Sequence, residues 1–248
     1  MKRAVFPLLL TAAAAAAFAA CSDPAPTVIH GTAIDHGKAI FEDPTVAGTE
    51  LNTYSCATCH TAEATLPADL TLTGGSLAGV TKRPSYWGGQ EVDLLRAVNA
   101  CLYYFMLVDE PWSADDEQAR ALYAYLDSIS QGPEGTSAAP FSVVIDIYDL
   151  PEGDPMKGED VFDRACATCH GAPHTGMDRL VDRAPVLPEQ TLEDHPLGEY
   201  THDEQRLVFV EKARHGAFLS YTGTMPPFSL EALPDDEMAD LLAYLDLY

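Results

Sequence analysis

The sequence predicts an all-α fold made of two tandem helical domains, and three observations carry that expectation. The chain repeats itself: Gly37-Lys38-Ala39-Ile40-Phe41 returns as Gly158-Glu159-Asp160-Val161-Phe162, and the stretch from Asp115 to Asp127 returns as Asp235 to Asp246. Both copies of the later stretch open on acidic residues suited to a helix N-terminus and continue with apolar residues at helical spacing. Between the copies, Gln131-Gly132-Pro133-Glu134-Gly135-Thr136-Ser137 gathers breakers and small polar residues that end the first unit.

Taken in order, the 248 residues divide into five parts. Residues 1–20 read as a secretory signal: Met1-Lys2-Arg3 is basic, Ala4 to Ala20 is apolar apart from Pro7 and Thr11, and small residues precede the break. Residues 21–34, rich in Pro, Asp and Thr and without apolar periodicity, read as a flexible tether. The first domain is expected over 35–130, a linker over 131–155 and the second domain over 156–248. Two domains of about 100 residues each sit near the lower end of the usual size range, where a cofactor at the centre of each is a natural expectation. Within the linker, Phe141 to Tyr148 reads as a short extended segment, either linker alone or a strap across the domain interface. The first copy also holds an added loop between Phe41 and its cysteine motif at Cys56.

Cys56-Ala57-Thr58-Cys59-His60 recurs as Cys166-Ala167-Thr168-Cys169-His170. Two cysteines at this spacing place their thiols where they can add to the two vinyl groups of one porphyrin, and the adjacent histidine then ligates iron. Zinc would need two further ligands per site, and a thioredoxin-like redox pair would need strands alternating with helices. Neither pattern is present, so the sequence predicts two covalently bound haem c groups, held by Cys56, Cys59 and His60 and by Cys166, Cys169 and His170.

A distal ligand has to come from a later segment. For the second haem the candidate is Met225, whose neighbours Pro226 and Pro227 hold the backbone extended so that it can present a thioether to iron. Met177 lies too close to His170 to reach round. For the first haem no Met-Pro follows, and two candidates remain in Asn99 to Met106: Cys101 and Met106. Methionine sulfur raises the potential of a haem, and a thiolate lowers it. Lys82, Arg83, Trp87, Lys212, Arg214 and His215 precede the distal segments, where a cation or N–H could pair with haem propionates. Surface or packing roles are equally open to each, and His174 reads as a solvated loop residue.

The arrangement resembles class I cytochrome c: a first helix bearing Gly and Phe, CxxCH, a distal Met-Pro and a terminal helix carrying an aromatic. The resemblance covers both halves and implies two tandem cytochrome c-like domains whose first and last helices cross closely. It would pair Gly37 and Phe41 with Tyr125, and Gly158 and Phe162 with Tyr244. The segment around Asn99, Cys101 and Met106 is similar to the distal segment of dihaem thiosulfate dehydrogenases and sulfur-oxidising cytochromes, in which a cysteine thiolate holds iron. Phe18-Ala19-Ala20-Cys21 resembles the bacterial lipoprotein box, although Phe18 stands where that box prefers Leu. It implies lipidation at Cys21, with ordinary cleavage near Ala20 as the alternative.

Acidic residues outnumber basic ones by 38 to 14, a formal charge of -24. Such a charge repels nucleic acid and anionic lipid and favours a basic or neutral redox protein as partner. No run after Cys21 approaches the roughly 20 apolar residues a spanning helix needs. Membrane attachment would therefore come from the lipid, placing an exported bacterial protein in the periplasm or cell envelope. The leading expectation is an iron-bearing electron carrier rather than a stand-alone enzyme, because saturated iron at both sites leaves no place for a substrate. A thiosulfate dehydrogenase-like or other sulfur-compound oxidoreductase acting at the first haem is the alternative.

Overall fold

Helix starts in this chain are written into its caps. The computed structural model describes residues 31–132, 138–144, 149–218 and 223–247. The expected leader, Cys21, most of the tether and part of the linker lie outside them. The first helix, α1 (Ala33–Glu42), opens on a reciprocal capping box between Thr32 and Asp35 and so begins inside the stretch expected to be tether. A 3-10 turn over Pro44–Ala47 occupies the added loop before α2 (Cys56–Cys59). A short parallel pair follows, β1 (His60–Thr61) with β2 (Gly75–Ser76). Next come 3-10 turns at Val80–Lys82 and Trp87–Gly89, then α3 (Leu94–Tyr104) and α4 (Glu117–Ser128).

The second series repeats the plan. It runs through α5 (Pro155–Ala165), α6 (Ala167–His170), α7 (Glu189–Asp194), α8 (His202–His215) and α9 (Asp235–Tyr244). Pro155 sits in the first turn of α5, where a missing N–H costs nothing, and Asp154 caps it. Asp235, Asp236 and Glu237 crowd the first turn of α9, favourably placed against the helix dipole.

Two glycines make the repeat three-dimensional. A Cβ at Gly37 would overlap the Ala121 carbonyl and Tyr125 Cβ, and one at Gly158 would overlap the Asp240 carbonyl and Tyr244 Cβ. Glycine thus lets α1 close on α4 and α5 close on α9. The rings lock the same crossings: Phe41 and Tyr125 are 5.4 Å apart and tilted by 52°, and Phe162 and Tyr244 are 5.9 Å apart and tilted by 56°. Around each crossing lies its own apolar core. One gathers Ile40, Phe41, Val80, Leu94, Leu122 and Leu126. The other gathers Val161, Phe162, Phe209, Leu233, Met238 and Leu245.

Gly31–Tyr248 nevertheless forms one compact unit, because the two cores are tied together. The Thr71 N–H donates to the Arg164 carbonyl at 3.0 Å, and Arg164 Nη1 donates back to Thr71 Oγ1 at 2.8 Å. Phe218 stacks edge-on against Trp87 at 5.2 Å and against Tyr104 at 4.9 Å. The linker crosses between the halves. Phe141 packs edge-on against Trp87 at 5.4 Å, Ser142 donates to Glu231, and the Val144 carbonyl accepts from His215 Nε2 at 2.7 Å. Of the segment expected to be extended, residues 141–144 carry no regular structure and 145–148 are outside the described residues.

Candidate haem centres

A single helical turn explains the spacing of the first motif. In α2, Cys56 and Cys59 are three apart and so share a face, and the next residue, His60, caps the turn by donating its N–H to the Cys56 carbonyl. Thr58 braces the turn from within, its hydroxyl accepting from the Ser55 N–H at 3.0 Å. The β1–β2 pairing then draws Gly74 against the His60 ring, so closely that a Cβ there would overlap the imidazole.

His60 Nδ1 is buried without a hydrogen-bond partner of good geometry. Burial drives this imidazole down to about 4, against opposing backbone contacts from Gly74 and Gly75 and with the Arg83 cation adding to the drop. It is neutral, with a lone pair free to bind a metal.

The ring faces a cavity of about 450 Å³ that Cys56, Cys59, Cys101 and Met106 also line. His60 and the three cysteines are only half-buried by exposed area, yet desolvation dominates their acid–base behaviour, because the surface they keep faces this cavity. Burial pushes the Cys56 thiol up to about 12 and Cys59 to about 11, with further contributions from neighbouring cysteines. Cys101 rises for the same reasons, feeling both Cys56 and Cys59. Among the described residues no group of three or more His, Cys, Asp or Glu side chains is arranged to hold a metal ion. An apolar cavity with two thiols at single-turn spacing, an unpartnered neutral imidazole and a glycine-floored ring does fit a porphyrin.

Both distal candidates of the first centre reach this cavity. Cys101 is on α3, and its carbonyl accepts from the N–H groups of Phe105 and Met106 at 3.1 and 3.3 Å as the helix unwinds. Met106 is 3 % exposed. Of the residues expected to meet propionates, Arg83 lines the cavity while donating to the Ser76 and Ala78 carbonyls. Trp87 lines it too while its indole N–H donates to the Ala97 carbonyl, whereas Lys82 donates to the Gly132 carbonyl.

The second motif begins where α5 ends, with buried Cys166 as the shared cap, and α6 carries Cys169 and His170. His170 Nδ1 lies 2.9 Å from the Pro185 carbonyl and donates to it, which leaves Nε2 as the free lone pair. Burial lowers this imidazole too, partly offset by that bond. Met225 packs onto the second core, the cluster that contains Cys166, and its carbonyl accepts from the Ala217 N–H at 2.8 Å.

The Met225 segment is held by Arg214, a role the sequence did not reveal. The Arg214 side chain is wholly buried and donates to the Phe228, Ser229 and Leu233 carbonyls and to Asp235, so it is committed to the backbone of this loop. His215 is buried between Glu211 and the linker. His174 is paired with Glu189 at 2.7 Å, and Met177 is exposed. Pro226 and Pro227, next to Met225, line the cavity of the first centre. Neither this shared wall nor the Pro185 acceptor had a local sequence signal.

Residues 153–245 match the family described as cytochrome C oxidase, cbb3-type, subunit III. The match supports a c-type cytochrome. It brings with it covalently bound haem c and electron transfer as the general activity, and the region it covers contains the second CxxCH, Arg214 and Met225. No curated protein matches the chain. No helix among the described residues is long and apolar enough to cross a membrane.

Proposed function

We propose that the chain is a dihaem c-type cytochrome of two tandem cytochrome c-like domains that passes single electrons between redox partners. The observation that carries this is the cavity of about 450 Å³ walled by Cys56, Cys59 and His60, in the half that lies outside the family match. Cys56 and Cys59 would attach one haem and Cys166 and Cys169 the other, with His60 and His170 as axial ligands. Met225 would supply the second distal sulfur, and either Met106 or Cys101 the first. When bound, haem supplies a one-electron ferrous/ferric couple.

The chain's own residues keep both imidazoles neutral by burial, orient His170 through Pro185, and exclude water with apolar walls. Arg83 brings a cation to the first cavity, where it would balance propionate charge. The acidic surface favours a basic or neutral partner protein. Export to the periplasm or cell envelope and lipid anchoring at Cys21 complete the proposal.

The pyridine haemochromogen of the purified protein tests the reading, with two haems expected per chain and one in Cys56→Ala/Cys59→Ala. A single haem in the unaltered protein would refute it. Low-temperature EPR of Cys101→Ala and Met106→Ala then identifies the first distal ligand as the variant in which one low-spin signal changes.

A second reading, a thiosulfate dehydrogenase-like sulfur-compound oxidoreductase, is favoured by Cys101 at the wall of the first cavity. It requires that thiosulfate reduce the oxidised protein faster than buffer does.

A further inference from the structure

Three large rings reach the surface side by side where the two halves meet. Tyr103 and Tyr104 end α3 with 60 and 40 % of their surface exposed, and Phe218, from the second half, keeps 36 %. Ring centroids lie 5.1 Å apart for Tyr103 and Tyr104 and 4.9 Å apart for Tyr104 and Phe218, so the exposed area is one patch rather than scattered side chains. Beneath it, Trp87 and Phe105 line the first cavity, and both rings touch Phe218, at 5.2 and 5.4 Å. These two rings stand between the patch and the cavity.

The patch has an acidic border on the first-half side. At the end of α3 the chain turns back through Leu107, whose φ is 60°, and the Val108 N–H donates to the Leu102 carbonyl at 3.0 Å. That bond sets the exposed Asp109 and Glu110 beside the turn that carries Tyr103 and Tyr104. No Lys or Arg occurs between Arg96 and Arg120. On the second-half side, Lys212 of α8 donates to the Gly216 carbonyl.

We propose that Tyr103, Tyr104 and Phe218 form the docking surface for a basic redox protein, with Asp109 and Glu110 steering its approach. The inference deepens the electron-carrier reading and rests on it. Clustered exposed aromatics are what interfaces use as anchors, whereas lone exposed apolar side chains are ordinary surface. Charge selects the occupant. A second copy would bring another formal charge of -24, and anionic lipid would be repelled as well. Lys and Arg side chains of a basic partner can pair with the two carboxylates and lie over the ring faces. A partner seated here faces the first cavity across Trp87 and Phe105, so the first centre is its point of exchange.

The test is calorimetric titration of the haem-loaded full chain with a basic mitochondrial-type cytochrome c at low ionic strength. Binding is expected, and it should weaken steeply with salt. Tyr103→Ala, at the most exposed ring, should weaken it about tenfold. Asp109→Asn/Glu110→Gln should weaken it too and flatten its salt dependence, and because both side chains are exposed this variant tests the proposal even where a ring variant loses its fold. Glu159→Gln/Asp163→Asn, which removes the same charge from exposed positions on α5, should do much less. No binding by the unaltered chain, unchanged affinity in Tyr103→Ala, or equal losses in the two charge variants would overturn the proposal. So would a dimer in sedimentation velocity that Tyr103→Ala abolishes, or Tyr103-dependent binding to phosphatidylcholine vesicles, since each gives the patch a different occupant. Haem content is measured separately: fewer than two haems per chain refutes the dihaem assignment, while the titration still reads docking directly.

Discussion

His170 donates through Nδ1 to the carbonyl of Pro185 at 2.9 Å, whereas His60 Nδ1 is buried beside the Gly74 and Gly75 backbone with no acceptor in good geometry. A bonded Nδ1–H fixes the tautomer and makes the other nitrogen a stronger donor to metal. The two CxxCH motifs are therefore unequal on their histidine side. In the haem-loaded protein, proton NMR should show one imidazole N–H strongly protected from exchange, belonging to His170, and a second exchanging much faster. Two equally protected imidazole N–H signals would contradict the asymmetry.

Gly74 is the floor beneath the His60 ring. A methyl group at this position has to push the imidazole into the cavity it faces or shift the backbone leading into β2. Gly74→Ala should lower haem content from two per chain toward one and remove the low-spin EPR signal of the first centre alone. Retention of both signals at full strength would show that the ring can shift freely.

Arg214 secures the loop that carries Met225. Replacing it with Ala strands the Phe228, Ser229 and Leu233 carbonyls and leaves Asp235 unpaired, an outcome expected to cost about 3 kcal/mol or more. Denaturant unfolding should show that loss, and Arg214→Lys, which keeps the charge but not the fork of donors, should recover only part of it.

Glu231 gives the linker a dependence on acid. Burial alone would raise its carboxyl, but donors from the Ser142 hydroxyl and backbone outweigh that and bring it from 4.5 down to about 2. A depressed carboxylate stabilises the folded state fully above its ordinary value and loses that contribution as pH falls through the folded one. Hydrogen exchange of residues 138–144, corrected for intrinsic rates, should therefore show protection falling between pH 4.5 and about 2. Ser142→Ala should flatten that dependence.

What the sequence disclosed was local or repeated. Gly37 with Tyr125 and Gly158 with Tyr244 were legible through the resemblance to class I cytochrome c, which implies that the first and last helices cross, and the CxxCH spacing is dictated by a single helical turn. The start of α1 was misplaced because the Thr32–Asp35 box looks, in one dimension, like more of the polar tether. For Arg214 the sequence leaves a propionate partner and a surface or packing role equally open, because a cation before a distal segment has no visible depth. Only the fold shows it surrounded by carbonyls. Pro185 and Glu231 act through contacts between segments far apart in the chain, which no window of neighbouring residues contains.

The wall that Pro226 and Pro227 lend to the first cavity separates ancestry from autonomy. The chain reads as one unit copied twice, yet a first half expressed alone would present its cavity to water on the side those prolines cover. Shielding of the first cavity is a property of the pair, so changes in the loop after Met225 would be felt at that cavity as well as in the second core.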